Sequence, residues 1–312
     1  MKSKVNQSSI NHTTIEVSVI MSVYHIKDKV VVEQAIDSIL IQTYPKFEFL
    51  IYEDGCNQEE DEFLQNLAKK DARICLIRGE VNQGLAYALN ECLKVAKGTY
   101  IARMDEDDIC APERLQIQKE FLDTHLEYAF VGVGTRLFDE QGVWGIRFMP
   151  KYPNTKDFLK YSPYIHPSVM FRKSVLEQVG GYQVSKDTLR CEDYELFMRL
   201  YCMGQYGCNI EEPLFFYRED RKWYDKRTWT QRVAEVKIRY RGFRKMGILK
   251  WSTLVYVGKP VGMLVIPKGI RKRIRNRKIK NVKSVENVYS SGTIRRTRSR
   301  SGQDQHHVIK LR

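Results

Sequence analysis

Short apolar runs and helical apolar stripes alternate along the first third of the chain. Runs rich in β-branched and aromatic residues predict strands at 16–24, 47–52, 74–77 and 99–104. Apolar residues that recur every three or four positions predict helices at 31–40, 59–70 and 84–96. This regular alternation predicts an α/β fold with a mostly parallel sheet and helices on both of its faces.

After Tyr128 the alternation is less regular. Apolar and aromatic runs predict further strands at 131–138, 143–148 and 166–171. Helical spacing predicts helices at 174–179, 191–200 and 228–245. The chain has no internal repeat and neither a G-x-G-x-x-G nor a Walker-type loop, so the common phosphate-binding fingerprints are excluded.

Four consecutive acidic residues, Asp105 to Asp108, follow the strand predicted at 99–104. Ligands of open α/β sheets bind where the strands end, so this position suits a functional site. Carboxylates that crowd together there repel one another, and Mg²⁺ or Mn²⁺ prefers such oxygen ligands. A solvated acidic turn without a ligand is the alternative from these residues alone.

The overall charge of the 312-residue chain is unevenly distributed. Residues 267–312 contain 15 Lys and Arg against two acids, a net charge of +13, which leaves +1 of the total +14 for the other residues. Residues 2–14 are polar, and we expect no signal peptide. Seven cysteines without a C-x-x-C pair predict reduced thiols and a cytoplasmic protein, not a disulfide framework or a zinc site.

An apolar and aromatic segment at 248–270 precedes the basic run at 271–278. A spanning helix needs about 20 mostly apolar residues, and Lys259-Pro260 interrupts this segment. The combination is typical of an interfacial anchor on an anionic membrane. The alternative is a helical hairpin packed on the main domain. Nucleic-acid binding by the basic run is a third, lower-ranked alternative, because aromatic residues interleave the apolar part and the basic residues do not spread over the folded part.

Several segments together resemble the inverting, nucleotide-sugar-dependent glycosyltransferases of family 2, which have the GT-A fold. They lie at 17–24, 52–55, 82–90, 98–108 and 192–196. The resemblance covers about residues 17–218. It implies a Rossmann-like, mostly parallel sheet flanked by helices, followed here by a helical, basic C-terminal extension.

The resemblance also implies a nucleotide-sugar site. Its residues would be Val23, Tyr24, Glu53, Asp54, Asn82, Gly84, Arg103 and Asp105. Val23 and Tyr24 would pack near the base, and Asp54 would accept a hydrogen bond from a uracil-type N–H. Backbone amides at Asn82 and Gly84 would face the nucleotide, and Arg103 would help to position the donor.

The same resemblance assigns the chemistry. Asp107, with Asp105, would bind Mn²⁺ or Mg²⁺, while Asp193 would be the general base and Glu192 would orient it. Helix-end charge complementarity is the alternative for Glu192 and Asp193. We interpret His166 as a structural histidine, with contact to the diphosphate or acceptor as the alternative.

These observations divide the chain into a flexible N-terminus (1–15), a GT-A domain (16–220), a helical membrane-associating extension (221–280) and a disordered basic tail (281–312). Within the domain, about 16–110 would bind the donor and 111–220 the acceptor. The predicted function is transfer of a sugar, from a UDP-sugar, to a lipid-linked glycan acceptor in surface polysaccharide synthesis. The enzyme would lie on the inner face of the plasma membrane.

Two other functions remain open at this point. A sugar nucleotidyltransferase would have a Gly-rich loop bearing Arg or Lys after the first strand, where Ser22-Val23-Tyr24-His25 stands. A non-catalytic module that binds membranes or nucleic acid through its basic tail would need none of the acidic residues.

Overall fold

The computed structural model describes residues 14–221, 227–276 and 279–280. Strands and helices alternate in its first part, as predicted. The elements up to the acidic run are β1 (Val17–Val23), α1 (Lys29–Leu40), β2 (Phe47–Asp54), α2 (Gln58–Ala68), β3 (Ile74–Gly79), α3 (Leu85–Val95) and β4 (Tyr100–Arg103). The later elements are β5 (Ile109–Cys110), α4 (Arg114–Thr124), β6 (Phe130–Asp139), β7 (Gly142–Arg147), β8 (Met170–Arg172), α5 (Lys173–Gln178), α6 (Glu192–Cys202), β9 (Gly207–Arg218), α7 (Trp229–Lys245), α8 (Leu254–Gly262) and α9 (Lys268–Asn276).

One sheet contains all of these strands, in the order β3-β2-β1-β4-β8-β6-β9-β5, with β7 paired to β6. The strands β3, β2, β1 and β4 are parallel to their neighbours. Beyond β4 the sheet is mixed, because β8 runs antiparallel to both β4 and β6, whereas β6 and β9 are parallel. The parallel half is the part that the strand–helix alternation predicted.

The segment predicted as a strand at 166–171 is only partly extended. His166–Ser168 forms a 3₁₀ turn with Pro167 inside it, and β8 begins at Met170. Proline fixes φ and has no N–H to donate to a sheet, which explains the later start of the strand. The pairing of β5 with β9 was not predicted, and it brings the acidic run close to the end of β9.

Two apolar clusters pack against opposite faces of the sheet. One contains the buried side of α1, α2 and α4, and the other contains that of α3, α6 and α7. All seven residues of β1 are buried, as expected of a central strand covered on both sides. The carboxyl ends of the parallel strands therefore meet at one edge, where the loops carry the predicted site residues.

The C-terminal helices α7 and α8 pack on the face of the sheet that α6 covers. Phe243 of α7 and Val257 of α8 join the apolar cluster that includes α6. Within the described residues, no helix has the length and apolar character needed to cross a membrane. The N-terminal residues 1–13 and the predicted disordered tail at 281–312 lie outside the described residues.

Candidate active site

Three carboxylates converge directly after β4. Asp105, Asp107 and Asp108 each offer an oxygen atom within 4.8 Å of those of the other two. Asp105 is half-buried, Asp107 is exposed and Asp108 is buried. These three residues are hereafter called the aspartate cluster. Because Asp107 is exposed and Asp108 is buried, the cluster opens to solvent on one side only.

Residues from both halves of the sheet hold the aspartate cluster in place. The guanidinium of Arg103 donates from Nη2 to Oδ1 of Asp105. The backbone N–H of Arg218, at the end of β9, donates to Oδ1 of Asp108 at 2.7 Å. Nε of Arg218 donates to the carbonyl oxygen of Asp107 at 2.8 Å. The turn is therefore fixed by a strand more than a hundred residues away in sequence.

The aspartate cluster has the properties of a cation site. Oδ2 of Asp108 is buried and has no hydrogen-bond partner among the residues that the structure describes. Asp107 is exposed at its surface, but the surrounding protein still removes water from its carboxyl group. This desolvation, followed by repulsion from Asp105, raises the pKa of Asp107 to about 6, and the same two causes raise that of Glu106 to about 7. Burial and the neighbouring carboxylates also raise the pKa of Asp108. A hard divalent cation would offset this repulsion and satisfy the unpaired oxygen, so these residues fit Mg²⁺ or Mn²⁺.

Asp54 lies at the end of β2, and its carboxylate accepts three hydrogen bonds. Oδ2 accepts from Nδ2 of Asn82 at 2.8 Å and from the Gly84 amide at 2.9 Å, and Oδ1 accepts from the Gln83 amide at 2.7 Å. The Gly84 amide, expected to face the nucleotide, thus donates to Asp54. The carboxylate organises the loop before α3.

Gly55 allows this loop to approach β2. It has φ +77°, and a Cβ atom at this position would lie 2.5 Å from the backbone N of Asn82. A side chain would therefore be strained by the backbone conformation and would also collide with the neighbouring loop. This close approach brings Asn82 within hydrogen-bonding distance of Asp54.

The other residues predicted to bind the donor lie at the same edge. Val23 ends β1 and is buried opposite Glu53 in the parallel register of β1 and β2. Tyr24 follows at 53% exposure, so its ring is available to a ligand. Glu53 is 2% exposed, and burial raises its pKa.

Glu192 and Asp193 form the first turn of α6, as predicted. Oε1 of Glu192 accepts from the backbone N–H of Arg190 at 3.0 Å, so this side chain closes the loop before the helix. Asp193 is half-buried. Burial, followed by the charge of Glu192, raises the pKa of Asp193 to about 6. A carboxylate with such a pKa is ionised at neutral pH and basic enough to accept a proton.

Tyr182 links the candidate base to the aspartate cluster. Its buried hydroxyl lies 2.7 Å from Nε2 of His166. Burial raises the pKa of Tyr182, and the charges of Asp193 and Asp105 raise it further, whereas that of Arg103 opposes them. Tyr182 is therefore within electrostatic reach of the candidate base and the aspartate cluster. The charges of the predicted base and of the predicted metal ligand Asp105 therefore both act on the same buried tyrosine.

Arg103 is fully buried, and its charge also acts on Tyr182. Its Nε and Nη1 have no hydrogen-bond partner in the described part of the chain. Burial and the charge of Arg103 keep the pKa of His166 well below its usual value, so the imidazole is neutral. Arg103, which the sequence predicts as a donor-binding residue, is therefore also an electrostatic partner of Asp105, Tyr182 and His166.

Sequence reasoning missed three residues of the site: Asp108, Tyr182 and Arg218. Asp108 belongs to the same acidic run, but only the geometry shows its unpaired oxygen. Tyr182 follows Gly180 and Gly181, both with positive φ, and this pair is a turn signal that precedes a buried tyrosine. For Arg218 the local sequence holds no signal, since its contact depends on the pairing of β5 with β9.

Comparisons with known proteins agree with this geometry. The profile of Glycosyl transferase family 2 matches residues 18–180. The putative glycosyltransferase EpsE of Bacillus subtilis is 34% identical over 273 residues, which is 86% of this chain and 96% of EpsE.

The Escherichia coli protein WfaP, described as a UDP-Glc:α-D-GlcNAc-diphosphoundecaprenol β-1,3-glucosyltransferase, is 29% identical over 65% of this chain and 76% of its own. Among solved structures, S. aureus TarS 1–349 in complex with UDP-GlcNAc superposes with a TM-score of 0.58 at 15% identity, over 90% of this chain and 93% of TarS. This likeness shows that the chain has the GT-A fold.

Proposed function

The chain belongs to glycosyl transferase family 2, and we propose that it transfers a hexose with inversion from a UDP-sugar to a lipid-linked glycan acceptor. The observation that carries the proposal is the aspartate cluster at the end of β4. A second carboxylate, Asp193, stands in the first turn of α6, and the charges of Asp193 and Asp105 both raise the pKa of Tyr182. Two acidic centres of this kind supply a cation site for the leaving group and a base for the acceptor.

In the proposed reaction Asp193 accepts the proton of an acceptor hydroxyl. The oxygen of that hydroxyl forms a bond to the anomeric carbon, while the bond from this carbon to the diphosphate oxygen breaks. The nucleoside diphosphate leaves with the bonding electrons, and the proton remains on Asp193 until solvent removes it. Attack opposite the leaving group inverts the anomeric centre. Glu192 stabilises the first turn of α6, which holds Asp193 in position.

Asp105, Asp107 and Asp108 would hold Mg²⁺ or Mn²⁺, which neutralises charge on the departing diphosphate. The unpaired oxygen of Asp108 and the raised pKa of Asp107 support this assignment. Arg103 forms an ion pair with Asp105. Its two unpaired N–H groups, buried at the same place, support a role in holding the site ready for the donor.

The donor nucleotide would bind along the ends of β1 and β2. The exposed ring of Tyr24 would contact the base, next to Val23, and Asp54 would hold the loop of Asn82 and Gly84 against it. Each oxygen of Asp54 has more than one lone pair, so Oδ1 retains capacity for one base N–H. The UDP-sugars in the descriptions of WfaP and TarS support uridine as the base.

The acceptor class rests on the relatives and on the C-terminal helices. WfaP is described as acting on a diphosphoundecaprenol-linked sugar, and an acceptor of that kind lies in a membrane. The basic C-terminal region would keep the enzyme peripherally bound to the anionic inner face of the plasma membrane. We therefore assign the enzyme to the synthesis of a cell-surface polysaccharide.

Hydrolysis of a panel of nucleotide-sugars tests the reaction class and the donor. We expect slow release of UDP with Mn²⁺ or Mg²⁺, its loss in EDTA, and its loss in Asp107→Ala. With an acceptor present, Asp193→Asn should lower transfer by about 10²- to 10⁴-fold, the range of general-base catalysis. Release of pyrophosphate would indicate a nucleotidyltransferase, and full transfer by Asp193→Asn would refute its assignment as the base.

A further inference from the structure

The exposed side of α8 and its flanking turns is apolar. Six outward positions share it at helical spacing: Trp251, Leu254, Val255, Gly258, Gly262 and Val265. Trp251 is 92%, Val255 71% and Val265 86% exposed. A helix on the surface of a water-soluble protein normally directs charged and polar residues outward. This set of residues, hereafter the outer face of α8, does the opposite.

Polar groups lie instead on the inner side of α8. Nζ of Lys259, the lysine within the helix, donates to the carbonyl oxygen of Lys160. Arg239 of α7 donates from Nη1 to the carbonyl oxygens of Leu159 and Tyr256, at 3.1 and 3.3 Å. Pro260 cannot donate to the carbonyl of Tyr256 within the helix, so Arg239 replaces that missing bond.

These bonds fix the rotation of α8 about its axis. Arg232 of α7 adds a further one, from Nη1 to the carbonyl oxygen of Pro260 at 2.7 Å. To turn its apolar side inward, α8 would have to break all of these contacts and bury Lys259 elsewhere. The outer face of α8 is therefore held toward the surroundings by the fold itself.

Positive charge accumulates beside this face. The exposed Ile270 and Arg273 belong to α9, which follows α8 directly. Residues 267–312 carry a net charge of +13, as counted above. A second protein copy would bring the same positive charge and be repelled, whereas an anionic lipid surface matches both the apolar face and the charge.

We propose that the outer face of α8 inserts into the interface of an anionic bilayer, with the basic helix α9 on the headgroups. This inference deepens the proposed function, since it identifies the surface that brings the enzyme to the membrane of its lipid-linked acceptor. Insertion of apolar side chains, and not the basic run alone, provides the stable part of the attachment. Because α7 packs against both α8 and α6, the bound enzyme has a defined orientation.

Co-sedimentation of the full chain with vesicles tests the proposal. Vesicles of phosphatidylcholine with phosphatidylglycerol would be compared with pure phosphatidylcholine, at low and at high salt. We expect the double variant Val255→Glu/Val265→Glu to bind anionic vesicles at least about tenfold more weakly than the wild type. Val95→Glu, the same substitution at a 47%-exposed valine of another helix, α3, is the control and should bind like the wild type.

Three results would overturn the proposal. They are absence of wild-type binding to anionic vesicles, equal binding by the double variant and the control, and a dimeric wild type that the double variant turns into a monomer. The last would identify a second copy as the occupant of the face. UDP release from the donor, measured in the same samples without vesicles, should be equal in all variants. Failure of the glycosyltransferase assignment would abolish that release without affecting vesicle binding, so the two outcomes are separable.

Discussion

Asp54 and the aspartate cluster occupy neighbouring strand ends of the same sheet edge, yet their surroundings differ. Asp54 is 1% exposed and its two oxygens accept three hydrogen bonds from the loop before α3. Asp108 is equally buried, but one of its oxygens has no partner among the described residues, and other carboxylates crowd it.

The difference shows that Asp54 holds a loop of the site in place, whereas the aspartate cluster keeps an oxygen available to a ligand. A buried acid with several donors gains stability from its charge, whereas buried acids facing one another lose it. In the part of the chain that the structure describes, Asp105, Asp107 and Asp108 form the one such group along this edge. Its cost is offset when a cation binds, so the comparison itself predicts different responses to mutation.

The largest expected effect follows loss of a cluster member. Asp107→Ala should reduce sugar transfer by at least about a hundredfold at saturating Mn²⁺, because a bound metal contributes several kcal/mol to transition-state stabilisation. Initial rates at varied donor and metal concentration measure it. Glu106→Gln is the control: it changes the adjacent acid, which is not among the three converging residues, and should retain most activity. Equal losses in both variants would contradict the assignment of the cluster.

The next effect is on the free energy of unfolding. Substitution of Asp54 should lower it, whereas substitution of Asp108 should leave it unchanged or raise it. Asp54→Ala leaves three donors without their acceptor and should lower the free energy of unfolding by about 2–3 kcal/mol. Asp108→Asn keeps an acceptor for the Arg218 amide and removes a repelled charge, so in EDTA it should be as stable as the wild type or more so. Urea unfolding with and without Mg²⁺ measures both. Stabilisation by Mg²⁺ should disappear in Asp108→Asn and persist in Asp54→Ala.

The same contrast explains how far the sequence could predict the site. The strand–helix alternation and the acidic run located Asp54, Asp105 and Asp107 correctly at strand ends, since these are local features. Whether a carboxylate oxygen finds a hydrogen-bond donor depends on contacts between residues that are distant in sequence. The loop that satisfies Asp54 lies 28 to 30 residues away, and Arg218 lies 110 residues from Asp108.

The side of α8 that faces the domain could not be predicted from the sequence either. Composition identified an apolar segment followed by a basic run, but it left an interfacial anchor and a packed hairpin open. In the structure Val257 and Lys259 of α8 face the domain, whereas Val255 and the other residues of the outer face of α8 stay exposed. Which side faces inward depends on Arg232 and Arg239 of α7, and periodicity within 248–270 contains no information about them.

A third prediction concerns pH. Asp193 must be ionised to accept a proton, and its pKa of about 6 lies above the ordinary value because of burial and Glu192. The rate of transfer should therefore be constant above about pH 7 and fall about tenfold for each unit below pH 6. Steady-state rates in overlapping buffers at saturating metal measure the profile. A rate that stays constant down to pH 4.5 would exclude Asp193 as the base.

The smallest expected effect tests whether Arg227, just before α7, lowers the pKa of Asp193. The charge of Arg227, which pairs with Glu235 of α7, lowers the pKa of Asp193 and so opposes the effects of burial and Glu192. Arg227→Gln should therefore shift the acid limb of the pH profile upward by a few tenths of a unit, which is about a twofold loss of rate near pH 6 and none above pH 8. Lys237→Gln is the matched control, because it removes one positive charge from α7 at a residue that pairs with Asp187 instead. A uniform loss of rate at every pH would assign Arg227 a purely structural role, whereas a shift confined to the acid limb would show that Arg227, which precedes α7, contributes to the ionisation of the candidate base.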